Sequence, residues 1–171
     1  DTSTIAAAAK AAFGITRGPF ELMTVTGVPI SLHAERTLHQ AFGAYYEPSH
    51  KLAHQVEIEK KDWPLAGVAT AAQFQAVKDR LLGITFGITA RLVEEGVATT
   101  VDTDKVATLV LRWAKRPFAM MNALATKNAL PLVEQPTPKW GTSFPDTTEL
   151  YRTAAKTQPR HPPPTRPDTN G

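Results

Sequence analysis

Residues 71–95 read Ala71-Ala72-Gln73-Phe74-Gln75-Ala76-Val77-Lys78-Asp79-Arg80-Leu81-Leu82-Gly83-Ile84-Thr85-Phe86-Gly87-Ile88-Thr89-Ala90-Arg91-Leu92-Val93-Glu94-Glu95, and Gly96 follows. Phe74, Val77, Leu81, Ile84, Ile88 and Leu92 recur at spacings of three and four, which places them on one side of a helix. The stretch predicts the longest helix of the chain, about seven turns, stopped at Gly96. Gly83 and Gly87 sit four apart inside it. Each costs about 1 kcal/mol against Ala in a helix interior, so the pair predicts the close approach of another helix. Lying within a helix, Gly83-x-x-x-Gly87 reads as a packing site and not as a phosphate loop. No sustained period-two alternation occurs, and no Asn-Gly or Asp-Gly turn joins two apolar runs. The fold class is therefore all-α.

Upstream, Thr4–Phe13 is alanine-rich and ends at Gly14, a helix with a left-handed cap. Pro19 opens a short apolar helix, Phe20–Val25, closed by Gly27. Pro29 opens another, with Ile30, Ala34, Leu38 and Phe42 on one face. Pro48 and Ser49 start a helix with Leu52 and Val56 on one side and a charged, exposed end from Glu57 to Asp62. Trp63-Pro64-Leu65-Ala66-Gly67 reads as a connection. Downstream, Asp102 is an N-cap for a helix from Thr103 to about Arg112, and Pro117 to about Leu124 is a further helix. Pro136, Pro138 and Gly141 interrupt the chain, and Asp146 caps a last helix to about Lys156. From Thr157 to Gly171 five prolines and no aliphatic or aromatic residue occur, a composition that predicts a disordered tail.

Composition narrows the function. Of 171 residues 42% are hydrophobic, enough for a core, yet no apolar run approaches the ~20 residues of a membrane span. No basic stretch leads into an apolar one, so no signal peptide is read, and the start at Asp1 suggests a trimmed or partial chain. The absence of cysteine excludes disulfide scaffolds, zinc ribbons and thiol nucleophiles, and fits a reducing compartment such as the bacterial cytoplasm. The net charge is +3 and the isoelectric point about 9.3, but Lys and Arg are scattered without aromatic interleaving. No nucleic-acid partner is expected on that pattern. His50 and His54 stand at a helical i,i+4 spacing without an H-E-x-x-H motif or an evident third ligand, so a solvated face is the reading and no metal is assigned. His33 and His39 share no face. No G-x-S-x-G elbow appears.

An internal repeat is present. Pro19-Phe20 overlays Pro117-Phe118 at an offset of 117 − 19 = 98 residues. Ala9 then falls on Ala107, Ile15 on Trp113, Arg17 on Lys115, Leu22 on Met120 and Met23 on Met121. Few positions are identical, but both halves read as helix, short basic turn, Pro-Phe and apolar helix. Gly18 and Glu21 of the first copy are replaced by Arg116 and Ala119 in the second.

Gly18-Pro19-Phe20-Glu21-Leu22-Met23, followed by Thr26-Gly27, resembles the C-terminal helical domain of the 3-hydroxyacyl-CoA dehydrogenases. Arg91-Leu92-Val93-Glu94-Glu95-Gly96-Val97-Ala98 and Asp102-Thr103-Asp104 resemble the family's long first helix and the helix start that follows it. The resemblance spans about residues 1–133. Two tandem copies are similar to those of the multifunctional β-oxidation enzymes, in which a second, degenerate copy packs on the first. The resemblance implies two helical repeats like the C-terminal domain of 6-phosphogluconate dehydrogenase. Residues 1–66 would be the first copy, lacking its long first helix; 67–156 the degenerate second copy; 157–171 the tail. It implies an acyl-CoA substrate closed over by this region, NAD bound by a Rossmann domain outside the chain, and a homo-oligomer or multienzyme complex. No G-x-G-x-x-G or βαβ pattern stands here, so the family's catalytic His and Glu have no counterpart and the chain is not expected to be active alone. Asp79 stands at the family's substrate-facing Asn, and Thr24 where Asp often follows the Leu-Met.

The substrate-side candidates are Arg17, to meet an anionic group of CoA, Phe20, and Glu21, to orient a loop or contact the nucleotide domain. Each has a plainer reading: Arg17 a solvated cation, Phe20 a core anchor, Glu21 a carboxylate at the positive end of a helix. Lys51, Lys60 and Lys61 offer only a diffuse positive field. The other class of function is a stand-alone, non-catalytic helical binding or assembly module.

Overall fold

The computed structural model describes residues 1–67 and 69–134. The cap read at Asp146, the helix to Lys156 and the tail from Thr157 lie outside the described residues. Eight α-helices occur among those described, and no strand. They are α1 (Thr2–Phe13), α2 (Pro19–Thr26), α3 (Val28–Phe42), α4 (His50–His54, continued by a π-helical turn Gln55–Glu59), α5 (Ala71–Glu94), α6 (Thr100–Leu109), α7 (Pro117–Leu124) and α8 (Thr126–Val133). No helix among the described residues is long and apolar enough to cross a membrane.

Local chemistry sets most of the ends. Asp1 caps α1, its carboxylate accepting from the Thr4 N–H at 2.8 Å. Gly14, at φ 67, closes the helix in the left-handed conformation. Thr70 and Gln73 form a reciprocal capping box on α5. At its other end the Gly96 N–H donates to Val93 O and the Val97 N–H to Leu92 O at 2.9 Å, a Schellman cap with Gly96 at φ 69.

Three expectations are corrected. The N-cap of α6 is Thr99, not Asp102: the Thr99 hydroxyl accepts from the Asp102 N–H and donates to its carboxylate, and the helix ends at Leu109. The most buried side of α5 is not the Phe74–Leu92 stripe, which is half-buried apart from Ile88, with Leu81 against the core. Leu82, Gly83, Phe86, Gly87, Thr89 and Ala90 are its buried residues, whereas Ile88 is exposed. The face is turned because α8 crosses at Gly83: a Cβ there would lie 2.1 Å from the Leu132 carbonyl oxygen. Finally, Ile30, Ala34, Leu38 and Phe42 of α3 are exposed. That helix instead buries Val28 and Leu32 against Leu52, beside Met23, Val56 and Trp63, because α2 and α4 lie on its other side. One helix, α8, escaped the reading, for Pro131 interrupts its last turn.

The principal core joins Ala9, Ala12 and Phe13 of α1, Leu82, Phe86 and Ala90 of α5, Met121 of α7, and Ala129 and Val133 of α8. It joins helices from both ends of the described chain: α5 lies between α8 and α1.

Three helix starts recur at the 98-residue offset. The starts Thr2, Pro19 and Val28 correspond to Thr100, Pro117 and Thr126. The positive-φ positions recur too: Gly14 (φ 67) with Arg112 (φ 57), and Gly27 (φ 97) with Ala125 (φ 61). The second copy thus holds a left-handed backbone on residues with a Cβ, at a cost of order 1 kcal/mol each. Ala125→Gly is expected to raise stability by about 1 kcal/mol, the relieved strain outweighing the added freedom of the unfolded chain. Urea unfolding checks it, and a loss of stability refutes it.

Candidate functional site

A concavity lies at the C-terminal ends of α1 and α6. Its volume is about 650 Å³, and Phe13, Ile15, Leu22, Leu81, Val110, Leu111 and Trp113 supply apolar walls, with Arg17 and Arg112 at the edge. The walls are related by the repeat. Phe13 and Ile15 map onto Leu111 and Trp113 at the same offset, and Phe13 stacks on Trp113 with ring centroids 4.1 Å apart and planes at 16°.

The rim is asymmetric. At the end of α1 the Lys115 ammonium donates to Ala11 O at 2.7 Å, and the Lys115 N–H to Phe13 O at 3.2 Å. A cation there complements the negative end of the helix, and it ties the copies together. Arg17 is the counterpart of Lys115, yet no hydrogen bond or ion pair engages Arg17 among the described residues. Arg17 and Arg112 are both exposed, so two guanidinium groups stand over an apolar floor. Arg, planar and always charged, suits phosphate or carboxylate.

Of the three residues singled out in the sequence, only Arg17 lines this cleft. Phe20 packs edge-on against Trp63, centroids 5.1 Å apart, on the far side of α2 in the minor core. The Trp63 indole N–H is buried there without a hydrogen-bond partner among the described residues. Both oxygens of Glu21 are engaged: Oε1 by the Lys10 ammonium and Oε2 by the Gly18 N–H, each at 2.5 Å. This is half of a capping box, since a glycine N-cap has no side chain to return the bond. The second copy solves the same problem differently. Ala119 replaces Glu21 there, and Asp104 of α6 accepts from the Phe118 N–H at 2.9 Å. Gly18 itself is required by contact, because a Cβ on it would lie 2.9 Å from the Ala6 Cβ.

The Lys10 hydrogen bond first, and then the Gly18 N–H, hold the Glu21 carboxyl below the ordinary carboxylate range. A carboxyl whose folded pKa is depressed stabilises the fold above its ordinary pKa, and the contribution disappears as pH falls through the depressed value. Glu21→Gln is therefore expected to lower the unfolding temperature at pH 7, with the gap to the parent protein closing on acidification. An equal gap at pH 7 and pH 3 would show that the carboxylate's charge plays no part.

Arg112 and Trp113 were not singled out by sequence reading. The signal was available in the overlay, where Arg112 occupies the position of the helix-closing Gly14. His50 and His54 are exposed, and no group of three His, Asp or Glu that could hold a metal occurs among the described residues. No strand, and so no glycine-rich strand-to-helix turn, occurs among the described residues. The cleft is suited to binding an amphiphilic anion. It carries no general base beside a nucleophile.

No protein-family model, curated protein or solved structure matches the chain.

Proposed function

We propose that this chain is the acyl-CoA-closing and assembly region of an NAD-dependent 3-hydroxyacyl-CoA dehydrogenase of fatty-acid β-oxidation, an oxidoreductase whose hydride-transfer domain lies outside these residues. Its helices would be two tandem repeats like the C-terminal domain of 6-phosphogluconate dehydrogenase, acting in a reducing compartment. The observation that supports the reading best is the Gly18–Met23 motif standing as a helix start in a tandem pair, beside an apolar cleft edged by Arg17 and Arg112. Such a cleft matches a thioester with an apolar tail and an anionic carrier. The division of labour follows from the residues: with no catalytic pair and no nucleotide fold, the region contributes binding surface and geometry, and the chemistry belongs to the Rossmann domain. A second reading, a stand-alone non-catalytic binding or assembly module, is favoured by Glu21, whose two carboxylate oxygens are taken up by the Lys10 ion pair and the Gly18 N–H.

Titrating the chain with an acyl-CoA while following Trp113 emission tests the first reading. Saturable quenching is expected, stronger for a long acyl-CoA than for CoA alone. Arg17→Glu is expected to weaken binding about tenfold, equivalent to about 1.4 kcal/mol. Equal response to CoA and acyl-CoA, or no effect of Arg17→Glu, rejects the cleft as the acyl-CoA site. An otherwise intact chain that binds no acyl-CoA favours the second reading.

A further inference from the structure

The charge of the cleft and one left-handed backbone together define the headgroup it accepts. Among the described residues no Asp or Glu lines the cleft, and its charged residues, Arg17 and Arg112, are both positive. Neither guanidinium has a hydrogen bond or an ion pair among the described residues. The Glu21 carboxylate feels Arg17 across space, but its two oxygens are held by Lys10 and Gly18. Two cations therefore stand at the mouth with no local anion to balance them. Beside apolar walls their field is screened less than it would be in open water.

Arg112 is also held against its own backbone preference. It sits at φ 57, a conformation that glycine adopts freely and a residue with a Cβ adopts at a cost. Its counterpart in the first copy is Gly14, where a Cβ would also lie 2.8 Å from the Ala114 Cβ. The turn around Arg112 is fixed from both sides. Leu111 and Trp113 wall the cleft, and their N–H groups donate to Val106 O at 3.2 Å and Ala107 O at 3.0 Å. The fold would be better served by glycine here, yet the position carries a guanidinium that no described residue engages. A strained residue of this kind at the mouth of a cleft points to a task outside the fold.

We propose that Arg112, acting with Arg17, selects the headgroup of the ligand, and that the cleft takes an amphiphile ending in a phosphate monoester in preference to a carboxylate of the same chain length. A monoester carries close to two negative charges above neutral pH, and a carboxylate carries one. Each guanidinium can give a phosphate two parallel N–H donors. The inference rests on reading the cleft as an anion-binding site and assigns its ligand class. It is the same whether the phosphate belongs to a CoA carrier or to another amphiphile.

Titration with decyl phosphate and with decanoate at pH 8, below their micellar concentrations and followed by tryptophan emission, tests it. Decyl phosphate is expected to bind about tenfold more tightly than decanoate. Arg112→Gly is expected to weaken decyl phosphate binding about tenfold and to erase the preference, while raising the unfolding temperature by about 2–4 °C. The opposite signs separate a binding role from a structural one. Arg112→Lys keeps the charge and the strained backbone but loses the fork of donors, and is expected to bind with intermediate affinity. Arg112-dependent capture by phosphatidic-acid vesicles would support the same chemistry with the phosphate on a membrane. Equal affinity for the two decyl ligands overturns the proposal, as does an Arg112→Gly protein that binds like its parent or loses binding and stability together. Decyl phosphate showing the expected pattern while acyl-CoA fails to bind rejects the proposed function alone. Acyl-CoA bound equally by the parent and by Arg112→Gly rejects the present inference alone.

Discussion

Phe86→Ala is expected to lower the stability of this protein by about 4 kcal/mol, the largest loss from any single side chain among the described residues. Phe86 is fully buried and sits where three helices meet: α1 through Ala9, Ala12 and Phe13, α7 through Met121, and α8 through Ala129 and Val133. Removing the ring forfeits its transfer from water and leaves a hole that small neighbours cannot fill. The alanines of α1 have no atoms to send into it. At this chain length each kcal/mol is worth about 2–4 °C, so the melting temperature should fall by about 10 °C. Because α1, α5, α7 and α8 share one core, denaturation followed by tryptophan emission and by far-ultraviolet dichroism should remain one transition. Two separated transitions would contradict the shared core.

Gly83→Ala sets two principles against each other. Helix propensity alone predicts a gain of about 1 kcal/mol, as for any exposed interior glycine. Contact predicts a loss, because the new methyl would stand 2.1 Å from a carbonyl oxygen of α8. That neighbour is backbone and has no rotamer to escape into, so α8 must shift bodily and uncover Ala129 and Val133. Overpacking of this kind costs about 1–3 kcal/mol beyond the lost contacts, and a net loss of about 2 kcal/mol is expected. Gly96→Ala is the control. Its backbone is left-handed at φ 69, but no atom lies within 4 Å of the added Cβ, so only conformational strain of about 1 kcal/mol is expected. Thermal unfolding of the two variants ranks them, and a Gly83→Ala protein as stable as its parent would mean that α5 and α8 do not approach as described.

Much of the helical framework was legible because its signals act between near neighbours. Gly14 and Gly96 closed helices through their own φ, Pro19 and Pro117 opened them by lacking an N–H, and the residues that follow carried an apolar face. Where two local signals competed, the reading slipped. Thr99 and Asp102 can each cap a helix, and the hydroxyl three residues earlier took the position. Pro131 hid α8, although extending the repeat from Val28 leads directly to Thr126. At the cleft, Arg17 was legible as a cation beside the motif. That Phe20 faces Trp63, and that Glu21 is held by Lys10, required knowing how α1 and α2 pack.

The long helix marks the boundary between the two kinds of information. Its existence, its stop at Gly96 and the need for a close neighbour at Gly83 and Gly87 followed from residues 71–96 alone, because propensity, capping and periodicity are properties of a segment. Which stripe it buries did not. The Phe74–Leu92 stripe is half-buried, with Ile88 exposed, while Leu82, Phe86 and Ala90 are buried, because burial depends on how near another backbone can come. At Gly83 the Leu132 backbone of α8 reaches the helix itself, and only the assembled structure places it there.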